Sequence, residues 1–305
     1  MSIAIITDSS AYLSPQTVAR AGNIYVTPIA INWDNNTFYD MRTLQPKQFY
    51  DQLAKRKALP TTSMPSMGTI TQLLDDLAEE GITDVIILPM SKGISSFTSA
   101  LSVVADQTMP RVHVVDTNST CGGMEMLVLL ASRLANEGFE ITDILAAITT
   151  LQHSMQIEFI VKDLNYLKRT GRISTTSQVL GNLLRVRPIL AIDTQDTGII
   201  RPIGKERTAK RAIRHIEDDL TASIKAAPKL PYAAVVFDGN APEEKRAWLH
   251  HLKETFTDVR FSAGIIGPGV GCHTGGGVLA MAWAYDWQVL ADQLISERAQ
   301  LQIQI

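Results

Sequence analysis

The feature that most constrains this 305-residue chain is a rhythm: short aliphatic runs, each ending in small polar residues and followed by a helical pattern. Ile3-Ala4-Ile5-Ile6 leads into Asp8-Ser9-Ser10. Val85-Ile86-Ile87-Leu88 leads into Met90-Ser91, and Val112-His113-Val114-Val115 into Asp116-Thr117. Short runs that are apolar at every position read as strands buried on both faces. A further strand is expected over 24–31, and helices over 46–57, 67–80, 96–107, 120–137 and 141–155. Strands alternating with helices predict βαβ units and a parallel sheet.

The second half has a different grammar. Strands are expected over 157–161, 188–193, 198–204, 232–237, 259–265 and 278–283, the second and third joined by the turn Thr194-Gln195-Asp196-Thr197. Helices are expected over 164–169, stopped by Gly171, and over 176–184, 206–226, 242–256 and 287–301. The expected fold class is therefore α/β with two domains. An N-terminal parallel sheet with flanking helices occupies 1–155, and a C-terminal mixed α/β sheet domain occupies 156–305. The length suits two domains at ~100–200 residues each.

Composition excludes several classes. With 45% apolar and 19% charged residues the chain is not disordered. Two cysteines, Cys121 and Cys272, exclude a disulfide framework and fit a reducing cytosol, so a cytoplasmic location is expected. No apolar run approaches the ~18 residues of a membrane span. The N-terminus lacks the basic region of a signal peptide. Charge is uneven: from Lys162 to Arg214, 12 Lys/Arg stand against 4 Asp/Glu in a chain of net charge −3. That balance suits an acidic ligand or partner, or a solvated face with scattered pairs. The segment lacks interleaved aromatics, which argues against nucleic acid.

Open parallel sheets bind ligands beyond the carboxyl ends of their strands. The three polar endings thus mark one candidate pocket edge, although each also reads as a helix cap. Ser95 and Ser96 open a helix after Gly93, a place where free N–H groups favour an anion. Thr61-Thr62-Ser63-Met64-Pro65-Ser66 adds hydroxyls, or is a capped turn. The densest signal lies over 264–277, where seven of the chain's 19 glycines surround His273. Such density predicts a loop that turns tightly or closes on a ligand. There His273 could donate to an oxyanion. No phosphate-binding P-loop, GxGxxG, GxSxG, HExxH or CxxC motif is present, so a metal site is not expected. Cys272 and His273 adjoin, but neighbouring side chains on an extended segment point to opposite faces.

Taken in order, several segments resemble the DegV family of bacterial fatty-acid-binding proteins, the FakB-type subunits of fatty acid kinase. They are Asp8-Ser9-Ser10; Thr62-Ser63-Met64-Pro65-Ser66, like TSxPS; Ile94 to Ala100, like LSGTYQSA; and Asp116-Thr117. Leu164 to Ile173 is similar to LEYLKKGGRI, Arg187-Pro188-Ile189-Leu190 to KPIL, and His273-Thr274-Gly275-Gly276-Gly277 to HTGPG. The resemblance implies a lipid site between two α/β domains, with the acyl tail in an apolar tunnel. It implies a carboxylate held by Thr62, Ser95 and His273. Arg172, Ser63, Ser96 and Thr274 are then expected in the head-group region or at a partner-docking face. The implied partners are a long-chain fatty acid and a separate ATP-using fatty acid kinase that makes the acyl phosphate. The chain itself is then a binding subunit, not an enzyme. It has no catalytic residue, metal, ATP site or cofactor beyond the bound fatty acid, and no nucleic-acid partner. It has no integral membrane segment, and transient contact with a membrane surface is compatible with this role. Three positions depart from the pattern: Ser96-Phe97 replaces Gly-Thr, Thr170 replaces the first Gly of GGRI, and Gly276 replaces Pro. The alternative reading is a stand-alone acyl or phosphate ester hydrolase or transferase using Ser95 or Cys272. A third is a nucleic-acid or acidic-protein binder using the basic segment.

Overall fold

A computed structural model describes residues 2–105, 109–173, 186–226 and 230–303. The chain begins β1 (Ile3–Asp8), a 3-10 turn (Ser9–Ala11), α1 (Pro15–Ala21), β2 (Ile24–Thr27), β3 (Ala30–Trp33) and β4 (Asn36–Tyr39). It continues α2 (Pro46–Leu53), β5 (Thr61–Ser63), α3 (Met67–Glu79), β6 (Asp84–Leu88), α4 (Phe97–Ala105) and β7 (Arg111–Val114). Then follow α5 (Cys121–Asn136), α6 (Ile141–Ser154), β8 (Gln156–Ile160), α7 (Asn165–Arg169), β9 (Arg187–Ile192) and β10 (Ile200–Glu206). The last elements are α8 (Ala209–Ala226), β11 (Tyr232–Gly239), α9 (Pro242–Thr255), β12 (Arg260–Ile265), α10 (Pro268–Thr274), β13 (Val278–Tyr285) and α11 (Trp287–Ile303).

The first sheet, ordered β2-β1-β6-β7, is wholly parallel. The second, ordered β10-β9-β8-β13-β11-β12, is antiparallel except for its β11–β12 pair. This is the expected α/β class, an N-terminal parallel sheet and a C-terminal mixed one. The helix expected over 176–184 lies outside the described residues. Among those residues, no helix is long and apolar enough to cross a membrane.

Three local expectations are corrected. The run 24–31 is not one strand: Pro28 supplies no N–H, and the chain leaves β2 there to enter β3 in another sheet. That third sheet, β4-β3-β5, is antiparallel and turns at Asp34 in a left-handed conformation (φ 52°). The hydroxyl cluster at 61–66 is partly strand β5, paired with β3, rather than a simple turn. The glycine-rich segment is not all loop either, since α10 occupies its centre.

The central strands of both large sheets are buried on two faces. Ala4, Ile6, Val85 and Ile87 pack on α3 and α4, while Ile3, Ile5, Ile86 and Leu88 face α5. Helix α5 is buried around nearly its whole circumference, because its other side packs on β11 and β13. One apolar core therefore runs from the first sheet through α5 into the second. The second sheet separates by parity. Ile157, Phe159, Val278 and Ala280 join that shared core, whereas Ile160, Leu279 and Met281 face α8 and α9.

Glu158 lies on the α8 side and is only 5% exposed. Burial, with the Asp219 carboxylate alongside, pushes its carboxyl up to about 9. The folded state then holds a proton that the unfolded chain releases near the ordinary glutamate value. Stability falls as pH rises between those two values. Glu158→Gln is expected to raise the melting temperature at pH 8 and to leave it unchanged at pH 4, as read by thermal unfolding. An equal effect at both pH values would refute a titrating Glu158.

Candidate ligand-binding site

Between the sheets, where α5 begins, the side chains leave a cavity of ≈ 320 Å³. Its wall is apolar where the second sheet supplies it: Ile157, Phe159, Phe237, Val278 and Ala280. Its polar end is assembled from four separate pieces of chain. These are β5 with the residues after it, the turn before α4, the turn after α7, and α10. All seven residues singled out in the sequence line this one cavity: Thr62, Ser63, Ser95, Ser96, Arg172, His273 and Thr274.

The position of His273 follows from how α10 is seated. Pro268 occupies its first turn and Gly275, at φ 70°, ends it. Its early N–H groups are satisfied by distant side chains: Gly269 N–H donates to Asp40 Oδ1 (3.0 Å) and Val270 N–H to Tyr12 Oη (3.0 Å). Asp40 is fully buried, and Ser9 Oγ donates to its other oxygen (2.7 Å). Ser9 Oγ in turn accepts from Ile29 N–H (3.1 Å). Burial pushes the Asp40 carboxyl up to about 7. The glycines explain the closeness of the fit. A Cβ on Gly269 would stand 2.7 Å from Asp40 Oδ2, and one on Gly271 would stand 2.7 Å from Phe49 Cε1. The glycine density therefore serves a helix packed at backbone distance.

At the polar end, Thr62 Oγ1 and His273 Nε2 are 2.7 Å apart. The other ring nitrogen, Nδ1, is enclosed and has no hydrogen-bond partner among the described residues. Burial, with Arg172 and Arg169 nearby, pushes the imidazole down to about 4, so it is neutral at pH 7. Two arrangements of protons satisfy the pair. If Thr62 donates, His273 carries its proton on the unpartnered Nδ1. If His273 donates from Nε2, the Thr62 hydroxyl proton is free. Either way the pair retains one unused donor.

Ser95 Oγ accepts from Phe97 N–H (3.2 Å), which uses an acceptor position and leaves its proton available. Arg172 donates from Nε to Ile94 O (3.3 Å) and from Nη1 to Thr170 O (2.5 Å). Burial lowers its pKa, and among the described residues no carboxylate pairs with it. Ser63 and Ser96 are exposed at the rim, the first accepting from Asn32 Nδ2 (3.1 Å). Thr274 is buried, and its hydroxyl lies near backbone carbonyls of Val270 (3.4 Å) and Gly275 (3.3 Å).

The polar strand endings divide in role. Asp8 lines the cavity, but its oxygens accept from Ser10 N–H (2.9 Å) and Met90 N–H (2.7 Å). Asp116 accepts from Lys92 N–H and Asn118 N–H, each at 3.1 Å, and Thr117 donates to Pro89 O (2.7 Å). These groups fix loops. Both cysteines are free and buried, with burial raising each thiol well above its ordinary value. Among the described residues no group of His, Cys, Asp or Glu could hold a metal. Sequence reasoning missed Asp40 and Tyr12. Their partners lie more than 220 residues away, and no local pattern marks them.

Comparison with known proteins agrees on one family. The profile described as "Uncharacterised protein, DegV family" matches residues 2–286. A DegV domain-containing protein of Listeria innocua is 32% identical over 285 residues, covering 92% of this chain and 98% of the relative. Protein DegV of Bacillus subtilis is 32% identical over 289 residues, covering 93% and 100%. The crystal structure of the Bacillus subtilis DegV, described as a fatty acid binding protein, superposes with a TM-score of 0.84 at 30% identity, covering 93% of this chain and 99% of that one. A DegV family protein from Thermus thermophilus, whose structure is described by its fatty acid binding, gives 0.85 at 26% identity, covering 93% and 100%.

The packing of α10 yields a sign test. Gly→Ala inside a helix ordinarily stabilises by about 0.5–1 kcal/mol. At Gly271 the added methyl meets Phe49 Cε1 at 2.7 Å and Tyr50 Oη at 2.8 Å, and overpacking costs about 1–3 kcal/mol. Gly271→Ala is expected to lower stability in urea unfolding. Gly68→Ala in α3, where the methyl meets only Ser66 Oγ at 3.7 Å, should not. Equal gains in both variants would contradict the tight seating of α10.

Proposed function

The chain belongs to the DegV family, and from that premise we propose that it is a cytosolic fatty-acid-binding carrier, with the acyl chain enclosed between lobes 1–155 and 156–305. The observation that carries this reading is the Thr62–His273 pair, with its unused donor, at the polar end of an otherwise apolar cavity. Burying an acyl chain contributes about 0.8 kcal/mol per methylene, on the order of 10 kcal/mol for a long tail before the costs of association. The head group then needs orientation more than affinity. Thr62, Ser95 and His273 supply uncharged donors, which offset the desolvation of a carboxylate. Arg172 and Arg169 add positive potential without a formal ion pair to the ligand. The bound fatty acid is the ligand, and the reading calls for no other cofactor.

In this reading the carboxylate is presented to a separate fatty acid kinase. Arg172, with Ser63 and Ser96 at the rim, forms the face the kinase meets, and Thr274 forms part of the wall behind the head group. A self-sufficient hydrolase is less well supported. It needs a base at the Ser95 hydroxyl, and the neutral imidazole of His273 is engaged by Thr62 instead. Cys272 is a poor nucleophile because burial keeps its thiol protonated.

Native mass spectrometry of protein expressed in bacteria should find a co-purified fatty acid. Ser95→Ala and His273→Ala should each reduce its occupancy several-fold while keeping the fold. Apo protein that takes up no acyl ligand would sink the proposal. With a fatty acid kinase supplied, Arg172→Ala should retain the lipid yet slow acyl-phosphate formation at least tenfold. Unchanged phosphorylation would remove Arg172 from the docking face.

A further inference from the structure

Strand β13 divides two cavities. Val278 and Ala280 line the one described above, while Leu279 between them lines a second cavity of ≈ 440 Å³ on the opposite face of the sheet. Strand β8 repeats the division, with Phe159 on the first side and Ile160 on the second. The second cavity lies where β8 and β11 end and β9 and β13 begin, between Tyr50 of α2 and Tyr166 of α7.

Its chemistry differs from that of the acyl cavity. Lys162 and Arg187 line it against a single acid, Glu244. Among the described residues, no carboxylate lies within ion-pair distance of either cation. Both belong to the basic segment that the acyl site leaves largely unused. Lys162 is exposed, and its stem runs against bare backbone. A Cβ on Gly277 would stand 3.0 Å from Lys162 Cδ, and Gly277 sits at φ 81°, so its bare backbone lets the turn and the lysine stem share the space. Gly276 adds main chain to the lining. An arginine fork matches two oxygens of an oxyanion, a lysine adds a point charge, and the volume admits a small molecule.

The geometry points to a second ligand site, on the face of β13 opposite the acyl chain, that binds a phosphate group through Lys162 and Arg187. The group arrives either as free phosphate or on a small phosphate ester. The two sites are joined by the segment from His273 to Gly277 but share no lining residue.

The test uses the full chain, titrated with inorganic phosphate and, at equal ionic strength, with sodium chloride, and followed by calorimetry and thermal shift. Phosphate should give saturable binding that chloride does not reproduce. Lys162→Met, which keeps the stem over Gly277, and Arg187→Gln should each weaken it by about tenfold or more. Glu244→Gln should strengthen it. Fatty acid occupancy by mass spectrometry should be unchanged in all three, so failure here is distinct from failure of the carrier reading. Glycerol 3-phosphate and AMP, titrated in the same way, identify the source. Tighter binding of either assigns an ester, and weaker binding of both assigns the free anion. Identical responses to phosphate and chloride, or undiminished phosphate binding in both cation variants, would overturn the proposal.

Discussion

The site depends on how one two-turn helix is anchored. Helix α10 is too short to be stable alone, and it gains its place from a carboxylate in a different part of the chain. Asp40 holds the N–H of Gly269 with one oxygen and the Ser9 hydroxyl with the other, so the end of the first strand, the small sheet and α10 are fixed by one buried group. A buried acid is costly unless its hydrogen bonds are made. Here the donors to Asp40 come from two sequence-distant segments, Ser9 and Gly269, and displacement of α10 would strand the second. His273 inherits that fixity.

The cavity is then a consequence of shared packing. Helix α5 is wedged between two sheets and buries apolar side chains against both. Where it starts, at Thr120 and Cys121, it no longer fills the gap, and residues from both large sheets line the space. The Thr62–His273 pair at the polar end is neutral at pH 7. A cationic imidazole would pay for desolvation beside two arginines, and the low His273 pKa is the result of that competition. Neutral donors orient an acid without trapping it as a strong ion pair.

Much of this was legible in the sequence, for identifiable reasons. The aliphatic runs at Ile3 and Val85 are the fully buried central strands of the parallel sheet, and the run at Val112 is its half-buried edge strand. The motif series brought together Thr62, Ser95, Arg172 and His273, and one cavity collects them. In the glycine-rich segment composition points to a loop, but Pro268 and Gly275 mark the start and stop of a helix. Strands β4 and β5 were missed because four and three residues carry no measurable period. Helix α1 was missed although Ser14 caps it and Gly22 ends it. Asp40 and Glu158 could not be found from local pattern, since their burial is a property of distant partners.

The parity of β13 has a consequence for how such chains vary. Val278 lines the first cavity and Leu279 the second, and Gly277 N–H is pinned to Gly239 O at 2.6 Å just before them. Adding or deleting one residue after His273 would exchange the two walls or force a bulge at the pinned glycine. Composition in this linker can drift, but its length is fixed by a counting rule. Related chains should therefore diverge here by replacement and almost never by a single insertion.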